Sequence, residues 1–527
     1  MERHYGYGEY RPYFDPEYDS LTERINPPSV CVDNESCDNC TLVKVDSANK
    51  HGILLEMVQV LTDLDLVISK SNISSDGRWF MDGTSLYPVH THAALIRHVS
   101  IPLAFRRYSL LSSLVMFHVT DQFGRKLSDG SLISYIEQSL ISGRARSGAR
   151  PVKTCLGRTV VPRDAMVASP SSEHTAIELT GADRPGLLSE LLAVLVEHDY
   201  SVVSAQAWTL DSRAACIVYI GEHPTGGAVH GKRLAELEEK LDHVVAAHHS
   251  PCERWQVRVH AVVSAASQIH TERRLHQMMH EDMKLEEREE AEEEAGRKNR
   301  AAAQKMAAKV SIDGSTEKGY SVVSIRSKDR PKLLFDTVCT LTDMNYVVFH
   351  ATVSSQGALA VQEYFIRRMD GHPLDSEAER RRVSRCLVAA IERRVSHGLR
   401  LNVCTHNRVG LLSDVTRVFR EHGLSVTGAE IGARGEKGER AEGTFYVAEA
   451  SGAEVDDRTV DSVREHVGGT VALEVDNSPC WPLPRRNSEP ALGRRGPNTE
   501  ERARFSLGNL FRSHFGRLSH NFGSIKS

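Results

Sequence analysis

Residues 179–200 read LTGADRPGLLSELLAVLVEHDY. A β-prone start is broken by a polar turn centred on Asp183. Beyond the turn, Leu188, Leu191, Leu192, Leu195 and Val196 stand at i, i+3, i+4, i+7 and i+8, one apolar stripe on a helix. Asp183 is placed to cap the first helical N–H groups, and Pro185 suits a first helical turn. Working outward, residues 201–210 and 214–220 are β-prone, with Asp211 and Ser212 as their turn, and residues 255–263 make a last strand.

The same pattern fits VDSANKHGILLEMVQVLTDLDL at 45–66, IRSKDRPKLLFDTVCTLTDMNY at 325–346 and VCTHNRVGLLSDVTRVFREHGL at 403–424. An internal repeat of this kind means one structural unit used several times. Each turn holds Asp or Asn (Asn49, Asp183, Asp329, Asn407), then a basic residue (Lys50, Arg184, Arg330, Arg408). Two positions on comes Gly52, Gly186, Lys332 or Gly410, then an aliphatic pair such as Leu187-Leu188. In the third copy, strands at 347–354 and 360–366 flank a turn at Gln356 and Gly357. A helix at 376–396 and a closing strand at 399–404 follow. The order β-α-β-β-α-β is the ferredoxin-like plan, an α+β class with two helices on one face of an antiparallel sheet. The open face and edges need covering, so modules are expected to pair within the chain or in a homo-oligomer. Pairing of first with second and of third with fourth is expected, the latter supported by the short gap between the third and fourth modules.

With 527 residues, at about 150 residues per domain, the chain holds roughly 3–4 domains. Acidic residues number 70 against 65 basic, a net charge of −5. That excludes a chain-wide surface neutralising nucleic-acid phosphates, so no nucleic-acid partner is expected. Ten cysteines are too few for a disulfide scaffold at this length. No apolar run approaches the roughly 18–20 residues of a membrane helix, and MERHYGYGEY lacks a signal-peptide pattern. The expectation is a soluble protein of the cytoplasm, the nucleus or both, with reduced thiols.

These residues resemble ACT domains, small regulatory modules that bind amino acids. The chain as a whole resembles the plant ACT domain repeat family, which has four ACT modules and no attached enzyme. The motifs that carry this are CDNCTLVKVDSANKHGILLE, SSDGRWFMD, HTAIELTGADRPGLLSELLAVL, HTERRLHQMM, RPKLLFDTVCTLTDMNYVVFHA, AAIERRVSHGLRLNVCTHNRVGLLSDVTRVFREHGLSVT and the tail FSLGNLFRSHFGRLSHNFGSIKS. The modules also resemble the glutamine-sensing regulatory arm of bacterial uridylyltransferases, whose catalytic segments have no counterpart here. The resemblance gives an N-terminal segment 1–40 and ACT modules at 41–140, 174–263, 320–397 and 399–476. A charged helical linker at 268–310 and a mobile basic tail at 478–527 complete the chain. The family pattern would join Trp79-Phe80-Met81-Asp82 almost directly to Phe117. Residues 83–116 intervene, as a retained intron or a loop insertion, and interrupt a strand of module one.

The turn before each first helix is the candidate ligand site. A helix start gathers unpaired N–H groups and a dipole that favours a carboxylate. The glycine lets a ligand approach the backbone, whereas Lys332 would crowd it. Asp183 can pair with an ammonium. In ACT modules the ligand binds at this turn, facing a partner module's strand. The candidate residues are Asp183, Arg184, Gly186 and Leu187 in module two, Asn407 and Gly410 in module four, Asn49 and Gly52 in module one, and Asp329 in module three. The bland reading is ordinary Asx-and-glycine turn chemistry. Arg184 and Arg330 read either as orienting an acid group or as salt bridges.

Other signals are thin. Cys37 and Cys40 make a C-x-x-C with Cys31 nearby, but no second pair supports a zinc ribbon. His276 and His280 lie four apart on a helix and read as a solvated face, like most of the linker. In the tail, Phe511, Phe515, Leu518, Phe522 and Ile525 recur at helical spacing among basic residues. That suggests a segment docking on its own protein or on a membrane surface. No nucleophilic, phosphate-loop or kinase motif is found, and no metal or cofactor is expected. The sequence thus points to a non-enzymatic amino-acid sensor acting on an unknown downstream protein, with glutamine suggested by the uridylyltransferase analogy. The alternative is an interaction scaffold or regulatory subunit whose ACT modules pair without binding a metabolite.

Overall fold

The repeated turn-and-stripe pattern builds four similar units. A computed structural model describes residues 28–48, 51–75, 112–142, 152–153, 159–160, 173–223, 225–246, 258–265, 270–293, 308–315, 319–394, 398–434, 440–450, 455–467 and 472–476. The first unit comprises β1 (Ser29–Asp33), β2 (Thr41–Ala48), α1 (Ile53–Asp63), β3 (Val67–Ser75), β4 (Ser112–Thr120) and α2 (Gly130–Ser142). A ribbon of β5 (Val152–Lys153) and β6 (Thr159–Val160) follows. The second unit comprises β7 (Glu173–Ala182), α3 (Leu187–Glu197), β8 (Tyr200–Leu210), β9 (Arg213–Glu222), α4 (Lys232–Ala246) and β10 (Arg258–Ala265). Helix α5 (Thr271–Glu293) leads to the third: β11 (Lys309–Ser315), β12 (Tyr320–Lys328), α6 (Leu333–Asp343), β13 (Tyr346–Gln356), β14 (Leu359–Arg368) and α7 (Glu377–Glu392). The fourth holds β15 (Leu399–His406), α8 (Leu411–Glu421), β16 (Leu424–Arg434), β17 (Arg440–Glu449), α9 (Asp457–Val467) and β18 (Ala472–Asp476).

The strands form two eight-stranded antiparallel sheets, β1-β2-β4-β3-β13-β14-β12-β11 and β10-β7-β9-β8-β16-β17-β15-β18. The first unit therefore joins the third through β3 and β13, where Ile73 faces Ala351. The second joins the fourth through β8 and β16, where Ala207 faces Ala429. This corrects the expected pairing of neighbours. A short connection limits the distance between modules, not their membership of a sheet. What each join buries is a shared core: Val58, Leu61, Val338 and Leu341 in one pair, and Leu191, Leu195, Val415 and Phe419 in the other.

The outer strand is a second correction. In units two and four it comes last, giving β-α-β-β-α-β. In units one and three the same place beside the first strand is filled from upstream, by β1 against β2 and β11 against β12. The 399–404 segment is the first strand of unit four, lying between β17 and β18. An upstream hairpin partner satisfies the edge groups as well as a returning strand does.

The interrupted strand is a third. Residues 112–116, the end of the 83–116 insertion, form the first half of β4, with Val115 opposite both Val45 and Ile73. Ser113, Val115, Phe117 and Val119 are buried and alternate with half-buried Leu114, Met116 and His118, so the period-two pattern of a one-sided strand is kept. Residues 76–111 lie outside the described residues, as do Asn49, Lys50 and the tail from 477 onward.

Helix α5 corrects the reading of the linker as a solvated spacer. Its first three turns lie on the open face of the second unit's sheet. Leu275, Met278 and Met279 pack there against Ala176, Trp208, Ile217 and Tyr219. Arg274 forms a two-pronged pair with Glu178 at 2.8 Å, and Arg213 Nε reaches Asp282 at 2.7 Å. Among the described residues no helix is long and apolar enough to cross a membrane.

Candidate ligand-binding site

The four entrances share one backbone. The residue before each first helix, Gly52, Gly186, Lys332 or Gly410, is left-handed, with φ of 85°, 85°, 61° and 80°. None of the four helices has a side-chain cap hydrogen bond. Asp183 is thus not the cap its position suggested. The polar turn is tied instead to the tip of the neighbouring hairpin: Asp183 N–H donates to the Ser212 carbonyl at 2.8 Å, and Asp329 N–H to that of Ala358 at 2.9 Å. Glycine suits this geometry because a left-handed backbone strains any residue bearing a Cβ. At Gly186 space matters too, since a Cβ there would lie 2.6 Å from Arg420 Cδ.

The basic residue of the turn pairs with an acid six residues on. Arg184 grips Glu190 with two bonds of 3.0 and 2.6 Å. Arg330 meets Asp336 at 2.7 Å and Arg408 meets Asp414 at 2.6 Å. The repeats carry this acid at one aligned position, as Glu56, Glu190, Asp336 and Asp414, a signal that the turn motif alone does not contain. The three pairs differ in burial. The fourth-unit side chains are 56% and 42% exposed, the second-unit ones 18% and 17%, and the third-unit ones 10% and 0%.

At the second entrance a small, partly open cavity of about 40 Å³ lies between units two and four. Leu179, Leu187, Leu188, Leu191, Leu424 and Val426 are among the residues of its wall. Asp183, Arg184 and Gly186 join them from the turn, and Thr416 and Arg420 from the partner helix α8. Burial raises the Asp183 carboxyl above its ordinary value against the opposing pull of Arg184. Arg420 has Glu190 as its ion-pair partner at 3.9 Å, beyond hydrogen-bond distance. Arg184 Nε is buried without an acceptor among the described residues.

The other entrances differ. The near-dyad relating α3 to α8 places Val196 where Arg420 stands in the second entrance. A Cβ on Gly410 would sit 3.5 Å from Val196 Cγ1. At Gly52 the corresponding neighbour is Thr342, 4.0 Å from such an atom. The third entrance is filled by the protein's own side chains. Lys332 is ion-paired to Glu272 of α5. Asp336, fully buried, is bound by Arg330, by Arg394 at 2.7 Å and by His276 at 2.8 Å. Arg394 also reaches Glu272 at 3.1 Å and lies 4.7 Å over the Trp208 ring. Despite desolvation, Arg394, Arg330 and His276 hold the Asp336 carboxyl well below the usual range. Burial lowers the His276 imidazole more than Asp336 raises it. His276 is thus buried, not on a solvated face.

Cys31, Cys37 and Cys40 are free thiols in the first hairpin. Burial and the neighbouring Cys37 push the Cys40 thiol up to about 11. Among the described residues no three His, Cys, Asp or Glu side chains gather as a metal site.

Comparison with known proteins places this architecture. Residues 36–91 match the ACR family N-terminal ACT domain, and residues 399–465 match the ACT domain. The chain is 43% identical over 514 residues to ACT domain-containing protein ACR4 of Arabidopsis thaliana, covering 97% of this chain and 98% of that one. It is 42% identical over 521 residues to ACR1 of the same plant, covering 98% and 99%. The chain belongs to the ACR family of ACT domain-containing proteins. A bifunctional uridylyltransferase/uridylyl-removing enzyme of Azospirillum brasilense is 33% identical over 87 residues, 16% of this chain and 9% of that enzyme.

Proposed function

We propose that the chain is a regulatory protein that binds a free amino acid between units two and four and catalyses no reaction itself. The observation that carries this reading is the cavity at the second entrance. It combines a half-buried acid, Asp183, a cation from the facing unit, Arg420, and the start of helix α3, whose dipole favours an anion. A zwitterion matches these groups: its ammonium suits Asp183, and its carboxylate suits Arg420 and the helix start. A ligand touching both units favours the joined arrangement over any looser one, and a downstream protein would read that difference.

The test is a thermal scan of the full chain with a panel of the common amino acids. At about 100-fold excess over Kd, a binder stabilises the fold by about 2.7 kcal/mol. A raised melting temperature with at least one amino acid, abolished by Gly186→Trp, supports the reading. No response from any of them favours the scaffold alternative. The self-filled third entrance speaks for that alternative at one of the four sites.

A further inference from the structure

We infer that the chain holds one amino acid, at the second entrance alone, that its side chain is aliphatic, and that Arg420 of unit four reads its carboxylate. The inference rests on the ligand-binding reading above and adds number, class and a specificity-determining residue.

Number follows from a double asymmetry. The zwitterion needs an acid in the turn and a cation from the facing helix. The second entrance has both, Asp183 and Arg420. The near-dyad counterpart in unit four has neutral Asn407 and Val196 in those two places. Gly52 of the first entrance faces Thr342, a neutral side chain. At the third, Asp329 is present, but Lys332 and Glu272 close the approach.

Class follows from the wall. Beyond the charged mouth the cavity is lined by leucine, valine and alanine side chains. Three hydroxyls line it, those of Ser189, Thr209 and Thr416, and two already donate elsewhere: Thr209 to the Thr427 carbonyl at 2.8 Å and Thr416 to that of Leu412 at 2.8 Å. Cys216 is a neutral thiol there, pushed up to about 12 by burial. A side-chain carboxamide entering this space finds walls that are mainly apolar and one further hydroxyl, Ser189, too few partners for its two donors and two lone pairs, and a charged group fares worse. An aliphatic side chain loses no hydrogen bond on entering. Glutamine, suggested by the uridylyltransferase analogy, is therefore disfavoured.

Arg420 is the available cation at the mouth. Arg184 is gripped by Glu190, whereas Arg420 stands 3.9 Å from that carboxylate and is 41% exposed.

Isothermal titration of the full chain with leucine, isoleucine, valine, methionine, glutamine, glutamate and lysine tests this. The expected result is a stoichiometry near one for an aliphatic amino acid, with glutamine, glutamate and lysine weaker by at least about tenfold. Arg420→Val should weaken that ligand by about 10- to 100-fold, the loss of a charged hydrogen bond, and Arg420→Lys by less. Circular dichroism melts check that both variants fold; if the valine variant does not, Arg420→Gln takes its place. Binding led by glutamine or a charged amino acid, two or more sites per chain, or full affinity in a folded Arg420→Val overturns the inference while leaving amino-acid binding intact. Silence from all amino acids overturns the ligand-binding reading itself.

Discussion

At Asp183 the demands of stability and of binding oppose each other. Its pKa is raised by burial. A carboxyl shifted this way stabilises the fold while protonated, below its unfolded value, and that contribution is lost as pH rises through the folded value. At neutral pH the ionised group is a cost. Asp183→Asn should therefore raise the melting temperature of the ligand-free chain and abolish the shift produced by the best amino acid. Paired thermal scans at pH 7 check both halves. Asp336 is the opposite case, a buried carboxylate satisfied by Arg330, Arg394 and His276. Asp336→Ala leaves the buried Arg330 guanidinium without a carboxylate and Arg394 with Glu272 alone, and should cost about 3–5 kcal/mol in urea unfolding. The sequence showed the acid six residues after each turn base, but not that the third copy lies under a helix from outside its own unit.

Helix α5 is where an element took on a role its composition hid. Glu, Lys and Arg dominate it, so as an average it reads as a solvated spacer. Its first three turns nonetheless place Leu275, His276, Met278 and Met279 inward, each 5% exposed or less. They lie between Trp208 of unit two and Phe335 of unit three, with His276 4.9 Å and 6.5 Å from the two rings. His276 holds its Nε2–H toward Asp336, since a carboxylate can only accept. Its pKa is lowered from 6.5, chiefly by burial. A depressed group contributes stability that is complete above the unfolded value and fades as pH falls toward the folded one. Docking of α5 should weaken as pH drops below 6.5, seen as faster amide exchange in α5. His276→Asn should remove that step, while the loss at lower pH from Glu272 and Asp336, whose pKa values are also depressed, remains.

For the whole molecule, the pairing of alternate units governs everything else. Strands β3 and β8 are edges of their own units and are covered only by β13 and β16. A chain ending at residue 300 would expose both, and bare edges recruit other chains. That fragment should run as a dimer or larger species by light scattering, while the full chain shows no association through these edges. Each joining strand also carries a bulge at the same place, between Ile68 and Lys70, Val202 and Ser204, Val348 and His350, and Val426 and Gly428. The bulge at Thr427 is pinned across the join by the Thr209 hydroxyl, which bonds its carbonyl. The extra residue shifts the phase of the core-facing alternation, from Leu424 and Val426 to Ala429 and Ile431 and from Tyr346 and Val348 to Ala351 and Val353.

By itself the sequence determined four copies of a polar turn followed by a striped helix, because helical and strand periods are local properties, whereas the capless, left-handed entrance emerged only from the structure. It also determined the α+β class, since two periods in a fixed order allow few layerings. Only the tertiary structure decided which units share a sheet, where the outer strands come from, and which side chain faces each entrance. Those depend on contacts between residues more than two hundred positions apart, such as Gly186 with Arg420, and no local pattern encodes which of several similar edges will meet.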